Sequence, residues 1–391
     1  MSEKMKILQM IDTYYPMMDG VINVSQNYTR ELNKIAVCDL ATAKPERGAE
    51  YTEKDDFNVI RCSSSFAPDG YRNAHPALDA EFKKKIENGG YDIIHCHSPF
   101  NMGRYAVSVG KKLGIPVVLT LHTKYYDDFY RVTKSKFLSN IAIKHIIYPY
   151  CKADSVWTVS EGNRQTLRDY GYKGDIVVVR NGTEYSYPDN PDELIAEVDK
   201  RHNLKGKKNV FVFVGRMAMY KNLKLIADAL KIVKDAGKDF TMLFVGGGFD
   251  LEEFKKYVED RSLAQNCIFT DRVTDRKLLQ GYYLRSEMLI FPSTFDNASI
   301  AITEATAHKI PALVVKGSCC AEGIIDGENG FLCEENAQSL ANVICGLCDK
   351  QDVLARAGEN AYKTLYRSWA DVAADVYGRY SEIIAEHKKH H

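Results

Sequence analysis

From residue 6 to residue 315 the chain repeats one pattern, a short continuous apolar run followed by a segment with helical spacing. Residues 6–11, 93–95, 117–121, 156–159 and 176–179 are such runs, and 210–214, 241–245, 267–270, 288–291 and 312–315 continue the series. Unbroken Val, Ile and Leu, without polar alternation, belongs to strands covered on both faces, and so to parallel sheets with crossover helices. Helical spacing predicts helices over 21–33, 102–113, 136–150, 161–169 and 223–233, the last with Ile226, Ala229, Leu230 and Val233 on one face. A length of 391 residues fits two ordinary domains, and 45% hydrophobic residues fills their cores and excludes a mainly disordered chain.

The pattern breaks after Arg180-Asn181-Gly182. Pro188, Pro191 and Gly206 sit among many charges, so 184–208 reads as a connector with one short helix. The prediction is an α/β protein of two doubly wound, Rossmann-like domains, 1–183 and 209–367, facing a central cleft, with 368–391 as a terminal helix crossing back to the first. Ligands of such sheets bind beyond the carboxyl ends of the strands.

Lys+Arg and Asp+Glu are both 52, so no whole-molecule field draws nucleic acid. The N-terminus has no export-signal form, and no apolar stretch nears the roughly 20 residues of a spanning helix. A cytoplasmic protein is expected, peripheral at most to the inner face of the cell membrane. The 10 cysteines then read as reduced thiols, Cys345-x-x-Cys348 included. The tail 387–391 carries no argument.

Three clusters hold chemistry. Val214-Gly215-Arg216-Met217-Ala218-Met219-Tyr220-Lys221-Asn222 lies where a strand ends and a helix begins. Gly215 permits a sharp turn, Arg216 offers a planar fork for phosphate oxygens and Lys221 a point charge. The bland alternative is two solvated cations beside a turn.

The second runs from Phe291-Pro292-Ser293 through Asp296-Asn297-Ala298-Ser299-Ile300 to Glu304. Asp296 is placed in the loop after a strand and Glu304 in the following helix, with Asn297 or Ser299 as N-cap. Helix-start amides would point at an anion, and the two acids would bracket a polyhydroxylated ligand. The plain alternative is a capping acid and a helix acid.

The third is Asp92-Ile93-Ile94-His95-Cys96-His97, with His122 just past the next strand. No third His or carboxylate stands at metal spacing, so no metal is expected. His122 is either a cleft residue or a core histidine. Glycines at two other strand ends, Gly20 and Gly246-Gly247-Gly248, lack dinucleotide-fingerprint spacing, which disfavours a Rossmann dehydrogenase.

Together these clusters resemble glycosyltransferase family 4, the retaining nucleotide-sugar transferases of GT-B fold. The most specific element is the acid, seven residues, acid pattern after "FPS", followed by Glu304-Ala305-Thr306-Ala307-His308-Lys309-Ile310-Pro311. The resemblance implies that 1–183 is the acceptor-side domain and 209–367 binds the nucleotide sugar. Arg216 and Lys221 would hold the donor diphosphate, Glu304 the ribose hydroxyls, and Asp296, where the family usually has Glu, the transferred hexose. His122 would line the sugar pocket. Gly20, Gly215, Asn222, Val273, Ala298, Ser299 and Ile300 would contact the donor, and His97, Lys124 and Tyr125 the acceptor side. Asp-x-Asp is absent, so a metal-independent reaction without cofactor is implied, with the nucleotide sugar as co-substrate.

For the acceptor, 95–100, 120–126 and 317–323 look like the bacterial subgroup that glycosylates diacylglycerol. Transfer of glucose from UDP-glucose to 1,2-diacylglycerol, giving an alpha-linked glycolipid, is the leading expectation. Residues 131–152, from Arg131 to Lys152, interleave Lys134, Lys136, Lys144 and Lys152 with Phe137, Leu138, Ile141, Ile146 and Ile147. That stretch is either a surface resting on anionic lipid or a sheet-covering helix. Alternatives are a family 4 enzyme for cell-surface polysaccharide or another soluble sugar acceptor, and a non-catalytic nucleotide-sugar-binding protein.

Overall fold

A computed structural model of the chain describes residues 4–17, 19–48, 52, 55–67, 71–297 and 299–390. It divides into two compact units, Met1–Asn181 with Trp369–His391, and Gly182–Ser368.

The first unit holds β1 (Lys6–Met10), β2 (Val37–Ala43), β3 (Val59–Cys62), the small antiparallel pair β4 (Ser64–Phe66) and β5 (Arg72–Ala74), then β6 (Ile93–Cys96), β7 (Val117–Leu121), β8 (Ser155–Thr158) and β9 (Val177–Val178). Its helices are α1 (Gly20–Asn33), α2 (Ala80–Glu87), α3 (Asn101–Leu113), α4 (Tyr125–Thr133), α5 (Lys136–Tyr150) and α6 (Glu161–Asp169). Seven strands form one parallel sheet in the order β3-β2-β1-β6-β7-β8-β9. All five residues of β7 are buried, as a strand covered on both faces requires.

Within the second unit lie α7 (Pro191–His202), β10 (Val210–Val214), α8 (Leu223–Asp235), β11 (Thr241–Val245), α9 (Leu251–Glu259), β12 (Cys267–Phe269), α10 (Arg276–Arg285), β13 (Met288–Ile290), α11 (Ile300–Ala307), β14 (Ala312–Val315), β15 (Phe331–Cys333), α12 (Ala337–Leu347) and α13 (Gln351–Leu365). Its parallel sheet runs β12-β11-β10-β13-β14-β15. Strand order therefore reverses between β10 and β13, as it does between β1 and β6 in the first sheet, and each reversal opens a crevice at the carboxyl ends.

The stretch 184–208 is not a free connector. Val198 of α7 and Leu204 are fully buried in the second core, and α7 packs on α10. Gly281 of α10 makes that approach possible, since a Cβ there would stand 2.7 Å from the Leu194 carbonyl oxygen. Arg285 pairs with Asp199 and donates to the carbonyls of Leu204 and Lys207 at 2.6 and 2.8 Å. The charges of this segment thus serve burial from one side, which composition alone does not show.

The last helix, α14 (Trp369–His390), belongs to the first unit. Trp369, Val372, Ala373, Val376 and Tyr380 form its buried stripe against Val24, Tyr28 and Leu32 of α1. Among the described residues all ten cysteines are free thiols, and no helix is long and apolar enough to cross a membrane.

Candidate functional site

The second unit gathers its charged candidates at the β10–β13 reversal. The loops after β10 and β11 meet there backbone to backbone. The amides of Gly215 and Met217 donate to the carbonyls of Val245 and Gly247 at 3.0 and 2.9 Å. A Cβ at Gly246 would lie 2.0 Å from the Gly215 carbonyl oxygen, and one at Gly248 2.2 Å from that of Met217. Gly215 and Gly246 also hold positive φ, 156° and 138°. The glycines are there because the loop after β11 braces the loop carrying Arg216.

Arg216 is exposed and has no hydrogen-bond or ion-pair partner among the described residues. Lys221 closes a 3-10 turn and reaches across to the loop after β13, where its ammonium donates to both carboxylate oxygens of Asp296 at 2.6 and 2.8 Å. Ser293, fully buried, donates to the same carboxylate at 2.6 Å. Asn222 takes a left-handed conformation, φ 60°, and donates to the Pro292 carbonyl and to Glu335 at 3.0 and 2.8 Å. The two loops are stitched together before any ligand arrives.

Glu304 sits inside α11 and accepts from the Tyr283 hydroxyl at 2.7 Å. Burial raises its pKa to about 7, against the opposing pull of that hydrogen bond and of Arg276. The His308 imidazole stacks on Tyr283 with centroids 5.2 Å apart, and its Nδ1 bonds the Glu304 carbonyl at 2.7 Å. Burial holds that imidazole down at about 4, so it is neutral. Ser299 is the N-cap of α11 and makes no side-chain capping bond; Ile300 is the first helical residue. Val273 lies between β12 and α10, partly buried against the second core. Ala298 falls outside the described residues.

Residue types alone did not point to Tyr283, Ser293 or Glu335. A fully buried tyrosine needs a partner for its hydroxyl, and that was the available signal for Tyr283. An aromatic shelf was also missed: Tyr220 lies 4.6 Å from Phe295 and 6.5 Å from Phe249, next in sequence to the Lys221–Asp296 pair.

In the first unit the candidates follow β1, β6 and β7. Asp19 caps α1, accepting from the Ile22 amide at 2.8 Å, and Gly20 opens the helix with nothing within 4 Å of where a Cβ would be. The protein's own packing does not demand glycine there. Asp12, buried at the end of β1, accepts from the Met102 amide at 3.0 Å and from Ser98 at 2.6 Å, capping α3 from outside the helix. Its carboxyl is raised to about 6 by burial. Lys124 and Tyr125 begin α4, and Tyr125 packs against Phe100 at 5.2 Å.

His97 is placed differently from the acceptor-side expectation. It is fully buried, and both ring nitrogens are engaged, Nε2 with Gln9 Oε1 at 2.7 Å and Nδ1 with His122 Nε2 at 3.0 Å. Sheet pairing brings the two histidines together on adjacent strand ends, 25 residues apart in sequence. Burial drives the pKa of His122 down to about 3 and that of His97 well below the ordinary range. Both are neutral imidazoles.

The α5 helix sorts its apolar residues onto two faces. Ile143, Ile146 and Tyr150 are buried and Ile147 packs against the core, whereas Phe137, Leu138 and Ile141 are exposed. Ile146 and Ile147 therefore leave the expected outer surface, and Lys134, Lys136, Lys144 and Lys152 stay on it. The side chain of Arg131 lies outside the described residues.

Two parallel sheets whose reversal points carry these groups define a GT-B glycosyltransferase. The model for Glycosyltransferase Family 4 matches residues 18–187, and the one for Glycosyl transferases group 1 matches residues 195–364. The chain belongs to glycosyltransferase family 4. It is 23% identical over 322 residues to the alpha-monoglucosyldiacylglycerol synthase of Streptococcus pneumoniae, covering 79% of this chain and 70% of that one. The enzyme of the same name from Acholeplasma laidlawii is 22% identical over 95% of this chain and 94% of its own. Other relatives at similar distance are mannosyltransferases. Among solved structures, Anabaena Alr3699/HepE in complex with UDP and glucose superposes with a TM-score of 0.75 at 16% identity, over 96% of this chain and 99% of that one.

Proposed function

We propose that this glycosyltransferase is a retaining, metal-independent hexosyltransferase that moves glucose from UDP-glucose to 1,2-diacylglycerol. One observation carries the transferase chemistry. At a single strand-order reversal, Lys221 on the loop after β10, which also carries Arg216, bonds Asp296 on the loop after β13, and Glu304 lies in the helix α11 that this second loop leads into. As the bond between anomeric carbon and phosphate oxygen breaks, negative charge grows on the departing diphosphate. Lys221, held by Asp296, is a preorganised cation for it, exposed Arg216 supplies a second, and the amides opening α11 add to them. An ammonium has three N–H groups, so Lys221 keeps Asp296 while donating to a phosphate oxygen. Asp296 accepts from hexose hydroxyls and Glu304 from the ribose.

With no protein nucleophile assigned, the acceptor hydroxyl attacks the face the diphosphate leaves, and its proton passes to a donor phosphate oxygen. That route retains the anomeric configuration.

The lipid acceptor draws support from the names of the two diacylglycerol relatives and from α5. Phe137, Leu138 and Ile141 are 73, 50 and 50% exposed among lysines, the composition of a surface that rests on anionic lipid. Incubation with UDP-glucose and diacylglycerol liposomes should yield an alpha-linked glycolipid. No lipid product, together with turnover of a soluble sugar acceptor, removes the lipid assignment and leaves the polysaccharide reading. Donor hydrolysis by the wild type that is lost in Lys221→Ala excludes a non-catalytic sugar-nucleotide binder. A parallel incubation with GDP-mannose tests the donor.

A further inference from the structure

One exposed carboxylate ties together the two loops that carry the Lys221–Asp296 pair, and the proposed function gives it no part. Glu335 follows β15, the edge strand of the second sheet, and β14 and β13 lie between β15 and β10. A single oxygen, Glu335 Oε1, accepts from Asn222 Nδ2 at 2.8 Å and from Thr294 Oγ1 at 3.1 Å. Asn222 is next in sequence to Lys221, and Thr294 lies two residues before Asp296. The tie thus reaches the loop after β10 and the loop after β13 from a third loop, 113 and 41 residues away.

Local structure fixes where that carboxylate stands. The Glu334 amide donates to Ser339 Oγ at 3.0 Å, and Asn336 caps α12 by accepting from the Ser339 amide at 2.8 Å, so the backbone on both sides of Glu335 is anchored. Helix α12 packs on α8, and Asn336 and Asn222 are the N-caps of the two. A carboxylate between two helix starts is electrostatically favoured.

These hydrogen bonds run in one direction only. A carboxylate and the Pro292 carbonyl can only accept, and Asn222 Nδ2 donates to both, at 2.8 and 3.0 Å. Turning the amide over would set its oxygen against two acceptors, so its orientation is fixed. Thr294 likewise can only donate to Glu335.

We propose that Glu335 is a positioning residue: through Asn222 and Thr294 it sets the spacing of the loops after β10 and β13, and so the contact of Lys221 with Asp296. Its charge would repel a diphosphate, so its contribution is the two hydrogen bonds and not the charge. The proposal rests on the reading that Lys221 and Asp296 serve sugar transfer, and the test separates the two.

Lysines of the full-length protein are acetylated with an N-hydroxysuccinimide ester, and each is followed by mass spectrometry. Lys221, with 12% of its side chain exposed, should react slowly in wild type and several-fold faster in Asp296→Ala, which frees it. Glu335→Ala and Thr294→Val should also speed Lys221, while exposed Lys256 on α9 reacts as before. In both variants kcat should fall about 10-fold with Tm nearly unchanged. Glu335→Gln keeps an oxygen for both donors and drops the charge, so it should restore slow labelling and most of the rate. In an Asp296→Ala background, Glu335→Ala should cost little more, since the two act through one contact.

Unchanged labelling of Lys221 in Glu335→Ala and Thr294→Val overturns the proposal, as does faster labelling with undiminished kcat. A Glu335→Gln variant as impaired as Glu335→Ala assigns the effect to charge and overturns it too. A wild type that transfers no sugar from any donor overturns the functional reading instead, and the labelling comparison still judges the tie.

Discussion

Lys221 Nζ lies 2.6 and 2.8 Å from the two carboxylate oxygens of Asp296, joining the loop after β10 to the loop after β13 across 75 residues of sequence. Side-chain exposures of 12 and 22% leave the pair partly open to solvent. It holds two loops in register and keeps a cation and an acid at the reversal point of the sheet.

Lys221→Ala and Asp296→Ala should each lower transfer by about 10²-fold or more, because each removes preorganised charge from the donor site. The double variant should be little worse than either single one, since the groups act as a unit. A partly exposed pair is worth about 1 kcal/mol, or a Tm shift of about 2–4 °C. Initial rates beside melting curves separate the two effects, and a large loss of Tm with intact rate would assign the pair to folding alone.

Glu304 gives two opposite pH trends. Its pKa is about 7 in the folded chain and 4.5 ordinarily, so the folded state holds the proton more tightly. Its contribution to stability is complete below about pH 4.5 and is lost as pH rises through 7. Nucleotide binding runs the other way, because the ionised carboxylate is the form that accepts ribose hydroxyls. Calorimetry should find UDP bound about tenfold more tightly at pH 8 than at pH 6, with Glu304→Gln flat across that range.

Two glycines make opposite predictions. Gly248→Ala drives a Cβ to 2.2 Å from the Met217 carbonyl oxygen, so it should cost about 1–3 kcal/mol and weaken nucleotide binding. Gly346, exposed on α12, has nothing within 4 Å, so Gly346→Ala should gain about 0.5–1 kcal/mol. Chemical denaturation of the two variants reads both signs.

Phe137→Asp with Ile141→Asp should abolish co-sedimentation with anionic vesicles and leave Tm unchanged, because both side chains are exposed. Transfer to a short-chain, water-dispersed diacylglycerol should fall much less than transfer in vesicles. Undiminished sedimentation would remove α5 as the membrane surface.

The strands carrying the site were legible because β-branched runs such as Val210-Phe-Val-Phe-Val214 have one stable use, a strand buried on both sides. Both β2 and β3 went unread; Asp39 and Arg61 break their runs, and their burial depends on neighbouring strands. The second-unit candidates were legible as motifs, yet the Lys221–Asp296 bond was not, since nothing in local spacing says which two strands lie side by side. His97 was misplaced for the same reason: its environment is made by Gln9, His122 and Tyr28, which are remote in sequence.

By itself the sequence determined the alternation of strand and helix, the existence of two doubly wound halves and the residue types at the strand ends, because these follow from local periodicity and backbone preference. Tertiary structure alone decided which groups meet. It set the lysine on its carboxylate, tied residues 184–208 into the second core and hydrogen-bonded Tyr380 to Gln9, 371 positions away. Strand order and helix packing create those encounters, and they depend on the burial of whole faces rather than on any one segment.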